Sequence, residues 1–335
     1  MKRRDDHHDY KERRMYMITL EVEGRHPVFG RLVGNPYAKR GSLDEPRIEL
    51  SELGKAVQEE WLGISRYYPQ IKVLVVQMMP DHMHGILFVM ERLPVHLGKV
   101  ISGFKTGCRK ARKALEAATA EKAGLAIVVE SSLATAKPSP AKNGTQPYLP
   151  LFAKGYNDLI LHSYDEFARW KNYLLDNPRR LLMKRARPEW LRPFFDLNIG
   201  SQKYNGIGNR DLLSAPLKMA VRVSRRLNDS EIAAETARYL ELSRQGAVLV
   251  SPAVSPGEKS VMRAAFNACF PTIVLMANGF TPLSKPQGEQ FDACAQGRLL
   301  MLSPWEHHNE KKMITAEQCK QMNLMALEIC GNKDG

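Results

Sequence analysis

Two histidines, His82 and His84, stand one residue apart inside the apolar run "VVQMMPDHMHGILFV" at 75–89. On a strand, residues i and i+2 point to the same face, so both imidazoles project together while Met83 points away. Two neutral imidazoles on one face can hold a divalent metal. A pair of hydrogen-bonded core histidines would show the same spacing. Farther along, Tyr173 and Asn177 stand four apart in "YDEFARWKNYLLDNP" (164–178), which on one helix puts them on one face. A tyrosine phenol can attack phosphorus and leave a covalent phosphotyrosine. The Asn177 amide oxygen, one turn away, could complete a metal site with the histidines, and such a metal would withdraw charge from a scissile phosphate. An amphipathic core tyrosine and an asparagine that merely ends a helix before Pro178 are the plainer readings. Tyr67, Tyr68, Tyr156 and Tyr164 could compete as nucleophile, but none of them pairs with a polar ligand candidate as Tyr173 does.

A third set is basic. Lys105 and Arg109 are i and i+4 in "LGKVISGFKTGCRKARKALEAA" (97–118), with Arg112 and Lys113 one turn on. They are candidates for phosphate contacts, with a solvated helix face as the alternative. The whole chain of 335 residues has a formal net charge of +13. From residue 197 onward there are 16 Lys+Arg and 13 Asp+Glu, so the excess, about +10, lies before it. A basic first part attracts polyanions, of which nucleic acid is the commonest in the cytosol. Five scattered cysteines (Cys108, Cys269, Cys294, Cys319, Cys330) form no C-x-x-C pair, which argues against a disulfide framework or a thiolate zinc site. No apolar run approaches the ~20 residues of a membrane span, and the charged start "MKRRDDHHDYKERRMY" has no signal-peptide core. The expected location is the cytoplasm, with the nucleoid as the natural place for a DNA-binding chain.

The elements that must position these residues alternate in type. Strands are expected at 15–24, 71–79, 82–90 and 155–163. Helices are expected at 49–69 (Ser51 as N-cap), 97–118 and 164–178 (Asp165 as cap, Pro178 as terminator). Pro80-Asp81 marks a tight turn, so the second and third strands form a hairpin. Residues 119–150, rich in Ala, Ser, Thr and Pro, read as an insertion or flexible loop, and 179–193 as a basic connector. The order β-α-β-β-α-β is that of the ferredoxin-like split βαβ arrangement, with the 164–178 helix added. Residues 1–195 form one expected domain and 196–335 a second. The second reads as strand, loop, helix, strand over 246–280, a strand at 297–304 and a helix at 315–329 with Thr315 and Gln318 spaced as a capping box. That pattern suggests a small α/β domain with a parallel sheet. The overall expectation is thus α+β.

Taken together, "MPDHMHGIL", "LGKVISGFK" and "GYNDLILHSYDEFARWKNYLLDNP" resemble the histidine-hydrophobe-histidine (HUH) single-tyrosine transposases, in their REP-associated branch, over about residues 15–190. The resemblance implies Tyr173 as nucleophile and His82 and His84 as ligands of Mg²⁺ or Mn²⁺. Asn177 falls where the insertion-sequence branch uses a glutamine ligand. It implies binding of single-stranded or hairpin DNA, cleavage through a 5′-phosphotyrosine link with release of a 3′-hydroxyl, and strand transfer without ATP. It also implies a homodimer, with a monomer as the alternative, and an active site built within one subunit or across two.

The chain beyond about residue 195 lies outside that resemblance. In "SPAVSPGEKSV", Ser255, Pro256 and Glu258 suit the start of a helix, which could bind an anion or simply be well capped. The segment faintly resembles the Rossmann-like domain of DNA-processing protein A, too little to transfer any residue. Two other functions compete with strand transfer. One is a non-catalytic DNA-binding regulator derived from a transposase, fused to a ligand-sensing domain. The other is a metal-dependent hydrolase that uses the histidines without the tyrosine, which would still turn over with Tyr173→Phe.

Overall fold

The computed structural model describes residues 7–38, 41–131, 150–310 and 312–331. The chain divides into two compact units, Met1–Leu182 and Met183–Gly335. The fold is mixed α and β in both, as the alternating pattern requires. No helix among the described residues is long and apolar enough to cross a membrane.

The first unit is built on strand β1 (Met15–Glu21), a hairpin of β2 (Gly30–Val33) and β3 (Arg47–Leu50), helices α1 (Glu52–Leu62) and α2 (Ile64–Tyr67), strands β4 (Ile71–Met78) and β5 (His82–Val89), helix α3 (Leu97–Ser131), strand β6 (Asn157–Leu161) and helix α4 (Tyr164–Leu175), followed by α5 (Asn177–Ala186). The main sheet has the order β4-β5-β1-β6, with β5 antiparallel to β4 and β1, and β6 antiparallel to β1. Both faces are covered, which is why β5 is apolar at almost every position. On one face Met83, Leu87 and Val89 join Ile18 and Leu20 of β1, Val57 and Trp61 of α1, and Leu97, Ile101, Phe104 and Cys108 of α3. On the other face Ile86, Val75, Met15 and Leu161 pack with Leu174 of α4, flanked by Phe167 and Trp170.

The local signals mostly act as expected. The Ser51 side chain accepts from the Gly54 amide and starts α1. Four expectations are corrected. First, α3 runs on to Ser131. Residues 119–131 of the expected 119–150 insertion are therefore helical, and residues 132–149 lie outside the described residues. Second, the cap of α4 is Ser163, whose hydroxyl accepts from the Glu166 amide, while Glu166 reaches back to the His162 amide at 2.7 Å; Asp165 is inside the first turn. Third, the supposed connector after 178 is helical, as α5. Fourth, α4 stops at Leu175, and Asn177 belongs to α5. Proline has no N–H for the carbonyl four residues back, so at Pro178 the ladder cannot pass from Leu174. The one-helix relation of Tyr173 and Asn177 is therefore interrupted.

In the second unit, strands β7 (Phe194–Ile199), β8 (Gln202–Gly208), β9 (Lys218–Ala220), β10 (Val248–Ser251), β11 (Thr272–Leu275) and β12 (Leu299–Ser303) form one sheet in the order β7-β8-β12-β11-β10-β9. Strands β9 to β12 are parallel, as expected for the C-terminal part, and β8 closes on β12 antiparallel. Helices α6 (Asp229–Arg244), α7 (Pro256–Asn267), α8 (Gly288–Ala295) and α9 (Ala316–Ile329) connect or follow the parallel strands. The capping boxes at Ser255/Glu258 and Thr315/Gln318 are both formed. The division between the units falls inside α5, earlier than residue 195, because Met183 and Leu191 pack with Ile207, Phe291, Leu299 and Met301 of the second core.

Candidate functional site

Strand parity and register together generate the site. Ile86 faces α4, so His84 and His82, two and four residues earlier, face the same side. Across the ladders His84 pairs with Thr19 on β1 and Gln77 on β4, and Thr19 pairs in turn with Asn157 on β6. A polar row, Asn157-Thr19-His84-Gln77, therefore crosses all four strands. The next row, Leu159-Met17-Ile86-Val75, is apolar, and most of it packs with the α4 cluster. His82 lies beyond the polar row, opposite Glu21. Sequence alternation foresees the two histidines on one face, and the structure adds the row they stand in.

The two imidazole rings meet edge to face with centroids 4.9 Å apart. Each is oriented through Nδ1. His82 Nδ1 lies 2.6 Å from the Asp81 carboxylate, and His84 Nδ1 lies 2.8 Å from the Thr19 hydroxyl. A ring fixed through one nitrogen presents the other in a set direction. Neither Nε2 has a hydrogen-bond partner among the described residues. Burial, and next the neighbouring His82 and Arg25, push the His84 pKa down to about 3, so this imidazole is neutral at physiological pH. Neutral, oriented and with Nε2 open is the state a metal-ligating histidine needs. The two imidazoles would supply two of the six positions around an octahedral divalent ion. Among the described residues no three His, Cys, Asp or Glu side chains converge on one point. Remaining ligands would have to come from an amide oxygen, water or a phosphate.

Tyr173 sits near the end of α4, on the same sheet side as the histidines, 44% exposed. Its ring meets Trp170 edge to face at 5.5 Å, and the Arg180 guanidinium lies over it, 5.5 Å from the centroid. No hydrogen bond or ring contact among the described residues joins Tyr173 to either imidazole. Asn177, half-buried, begins α5. The turn between them is held by Asp176, which takes a two-pronged ion pair from Arg179, with Nε–Oδ1 2.5 Å and Nη2–Oδ2 2.7 Å.

The basic residues of α3 are on the other layer. Through Leu97, Ile101, Phe104 and Cys108 this helix packs on the sheet face opposite the histidines. The Lys105 ammonium donates to the carbonyls of Ala153 (2.8 Å) and Gly155 (2.6 Å), tying α3 to the segment before β6. Arg112 pairs with Glu116 at 2.7 Å. Arg109 and Lys113 are exposed. The structure thus unites the imidazoles and the tyrosine helix on one face and leaves the basic set behind the sheet. Sequence reasoning missed Thr19, Gln77, Asp81 and Arg180. Asp81 could have been found from its place beside His82, whereas Thr19 and Gln77 depend on register.

No protein-family model matches the chain. An uncharacterized protein of Haemophilus influenzae is 25% identical over 87 residues, which is 26% of this chain and 42% of that protein, so the match spans under half of the relative's length. Solved structures resemble it distantly. DNA processing protein A from Helicobacter pylori is similar over 41% of this chain and 66% of its own, at 20% identity and TM-score 0.31. The same-named protein from Streptococcus pneumoniae is similar over 51% and 60%, at 17% identity and TM-score 0.32. A REP-associated tyrosine transposase bound to a REP hairpin is similar over 52% and 72%, at 10% identity and TM-score 0.30. These likenesses are too slight to carry any property to this chain.

Proposed function

We propose that the first unit cleaves single-stranded DNA and transfers the strand through a 5′-phosphotyrosine intermediate. The observation that carries this reading is the pair of imidazoles, each anchored through Nδ1 with Nε2 free, on the sheet face that also holds the tyrosine helix. The main-sheet strands and the principal helices between them, β1-α1-β4-β5-α3-β6, with strand order β4-β5-β1-β6, support a ferredoxin-like HUH domain, and the parallel sheet of the second unit supports a Rossmann-like addition of unassigned role. His82 and His84 would hold Mg²⁺ or Mn²⁺, with Asn177 as a candidate third ligand. The ion would draw charge from the phosphate oxygens.

The chain's own residues do the rest. Tyr173 Oη attacks the phosphorus, the P–Oη bond forms and the P–O3′ bond breaks, and the departing 3′-oxygen takes a proton as the phenol loses one. The phosphotyrosine keeps the bond energy, and a second 3′-hydroxyl reverses the step at a new junction. The Arg180 guanidinium, over the ring of Tyr173, places a positive charge beside the attacking residue. Arg109, Arg112 and Lys113, together with Lys105 in a bracing role, belong to the α3 layer that a longer DNA hairpin would meet behind the sheet. The substrate is single-stranded or hairpin DNA, the working form a homodimer or monomer, and the location the cytoplasm at the nucleoid.

A second reading, a DNA-binding regulator without catalysis, draws on one observation: Tyr173 touches neither imidazole. One experiment separates the two. Labelled single-stranded hairpins are incubated with the full chain and Mg²⁺ or Mn²⁺, then run on denaturing gels. Strand transfer predicts a covalent protein–DNA adduct that disappears with Tyr173→Phe while DNA binding persists. Binding with no adduct on any hairpin favours the regulator.

A further inference from the structure

Beside the histidine row the first unit has a cleft of about 640 Å³, within the range of about 300–1,000 Å³ usual for small-molecule sites. Its walls are the segment 42–50 of the β2–β3 hairpin, Gln58 of α1, residues 76–78 on β4, and Leu175 and Pro178 at the α4–α5 junction. Strand β4 is the edge of the sheet. Gln77, in the cleft, is the register partner of His84, one strand away at about 4.8 Å. Leu175 is two residues from Tyr173. A DNA strand with its phosphate at the imidazoles and running along the polar row would meet this cleft at the sheet edge.

We propose that the cleft receives the unpaired base next to that phosphate and reads its edge through the carboxamides of Gln58 and Gln77. The inference rests on the DNA-cleaving reading and names a determinant of its sequence preference. The polar groups of the cleft differ in how far they are committed. Glu45 accepts from the Gly41 amide at 2.6 Å, and Arg47 donates to the Leu43 carbonyl at 2.7 Å, so both shape the wall. Gln77 Nε2 donates to the Met78 carbonyl at 2.9 Å, which leaves its oxygen as an acceptor. Gln58 is half-buried and its carboxamide has no hydrogen-bond partner among the described residues. A half-buried amide without a protein partner takes water or a ligand.

Ile48, Leu50, Leu175 and Pro178 supply apolar surface for the face of a base, and among the described residues no aromatic side chain lines the cleft. With no ring to stack on, discrimination falls to the edge contacts. Neutral carboxamides suit a base better than a phosphate. Their adjacent donor and acceptor complement the N6–H and N7 of adenine.

The test uses the Tyr173→Phe chain, so that binding is read without cleavage. Hairpins with randomised unpaired flanks are selected on it, and the bound pool is sequenced. One flank position should be enriched in adenine, roughly fivefold or more. Gln58→Ala should erase the preference, with the affinity for the adenine-bearing hairpin falling roughly fivefold to that of the other bases. Gln58→Glu should move it to cytosine, whose N4 amino group donates to a carboxylate. No enriched position, or enrichment that survives both substitutions, overturns the proposal. Adduct formation by the unsubstituted chain is scored separately. An adduct without base preference sinks only the cleft, and base preference without an adduct sinks only the cleavage reading.

Discussion

Replacing Gly85 by alanine puts a methyl group where the Trp61 indole already lies. A Cβ on Gly85 would stand 2.1 Å from Trp61 Cζ2 and 2.3 Å from Cε2. Trp61 is fully buried and meets Phe104 edge to face at 5.1 Å, so the ring has little room to retreat. The backbone of Gly85 is an ordinary strand backbone, which means the cost is steric and not conformational. Overpacking of this kind costs about 1–3 kcal/mol, less the gain of up to about 1 kcal/mol that alanine gives by restricting the unfolded chain. The opening free energy of β4 and β5 should therefore fall by about 1–2 kcal/mol, and their amides should exchange with deuterium roughly five- to thirtyfold faster. Hydrogen exchange read by mass spectrometry reports this directly, with β10–β12 of the second unit as internal control. In a Trp61→Leu background the same substitution should cost at least about 0.5 kcal/mol less, since the two residues are in contact. If β5 exchange stays within twofold, or changes equally with and without the indole, the packing argument is wrong.

Other substitutions test other parts of the chain. In the metal-free protein the folded-state pKa of His84, about 3, is below its ordinary value near 6.5. Its contribution to stability is therefore full above about pH 6.5 and is lost as pH falls towards 3; urea titrations at pH 7, 5.5 and 4 should show a decline that His84→Asn makes shallower, and an unaltered slope would count against it. Asp81→Asn should weaken Mn²⁺ binding roughly 10- to 100-fold in calorimetric titration by loosening the hold on His82, and unchanged affinity would remove Asp81 from the site. Ser255→Ala breaks the reciprocal cap of α7 and should lower the protection of that helix's amides by about 0.5–2 kcal/mol; undiminished protection would show the cap to be dispensable.

What the sequence disclosed follows from where its signals are local. The His82–His84 pair needs only strand alternation, and the helices after Ser51, Ser255 and Thr315 carry their own caps. Helix α6 has an equally plain signal, Asn228 with Glu231, yet was not among the expected elements. Strands β2 and β3 are four residues each, too short for a period to stand out. Two cap-forming residues two positions apart, Ser163 and Asp165, could not be ranked until the first turn was placed, with the Glu166 amide on the Ser163 hydroxyl. Thr19 and Gln77 are farther from reach. They become neighbours of His84 only when two ladders fix their register, and register is a property of pairing and not of any one strand.

Helix α4 is attached lightly for an element that bears a candidate nucleophile. Leu174 is its one fully buried side chain, worth about 1.5–3 kcal/mol, and twelve residues make a marginal helix in water on their own. The break after Leu175 means that α4 can lift without pulling α5 along as a single rod. The imidazoles, by contrast, are set in a strand paired on both sides. One half of the site thus rests on a single fully buried side chain, and the other on two strand ladders.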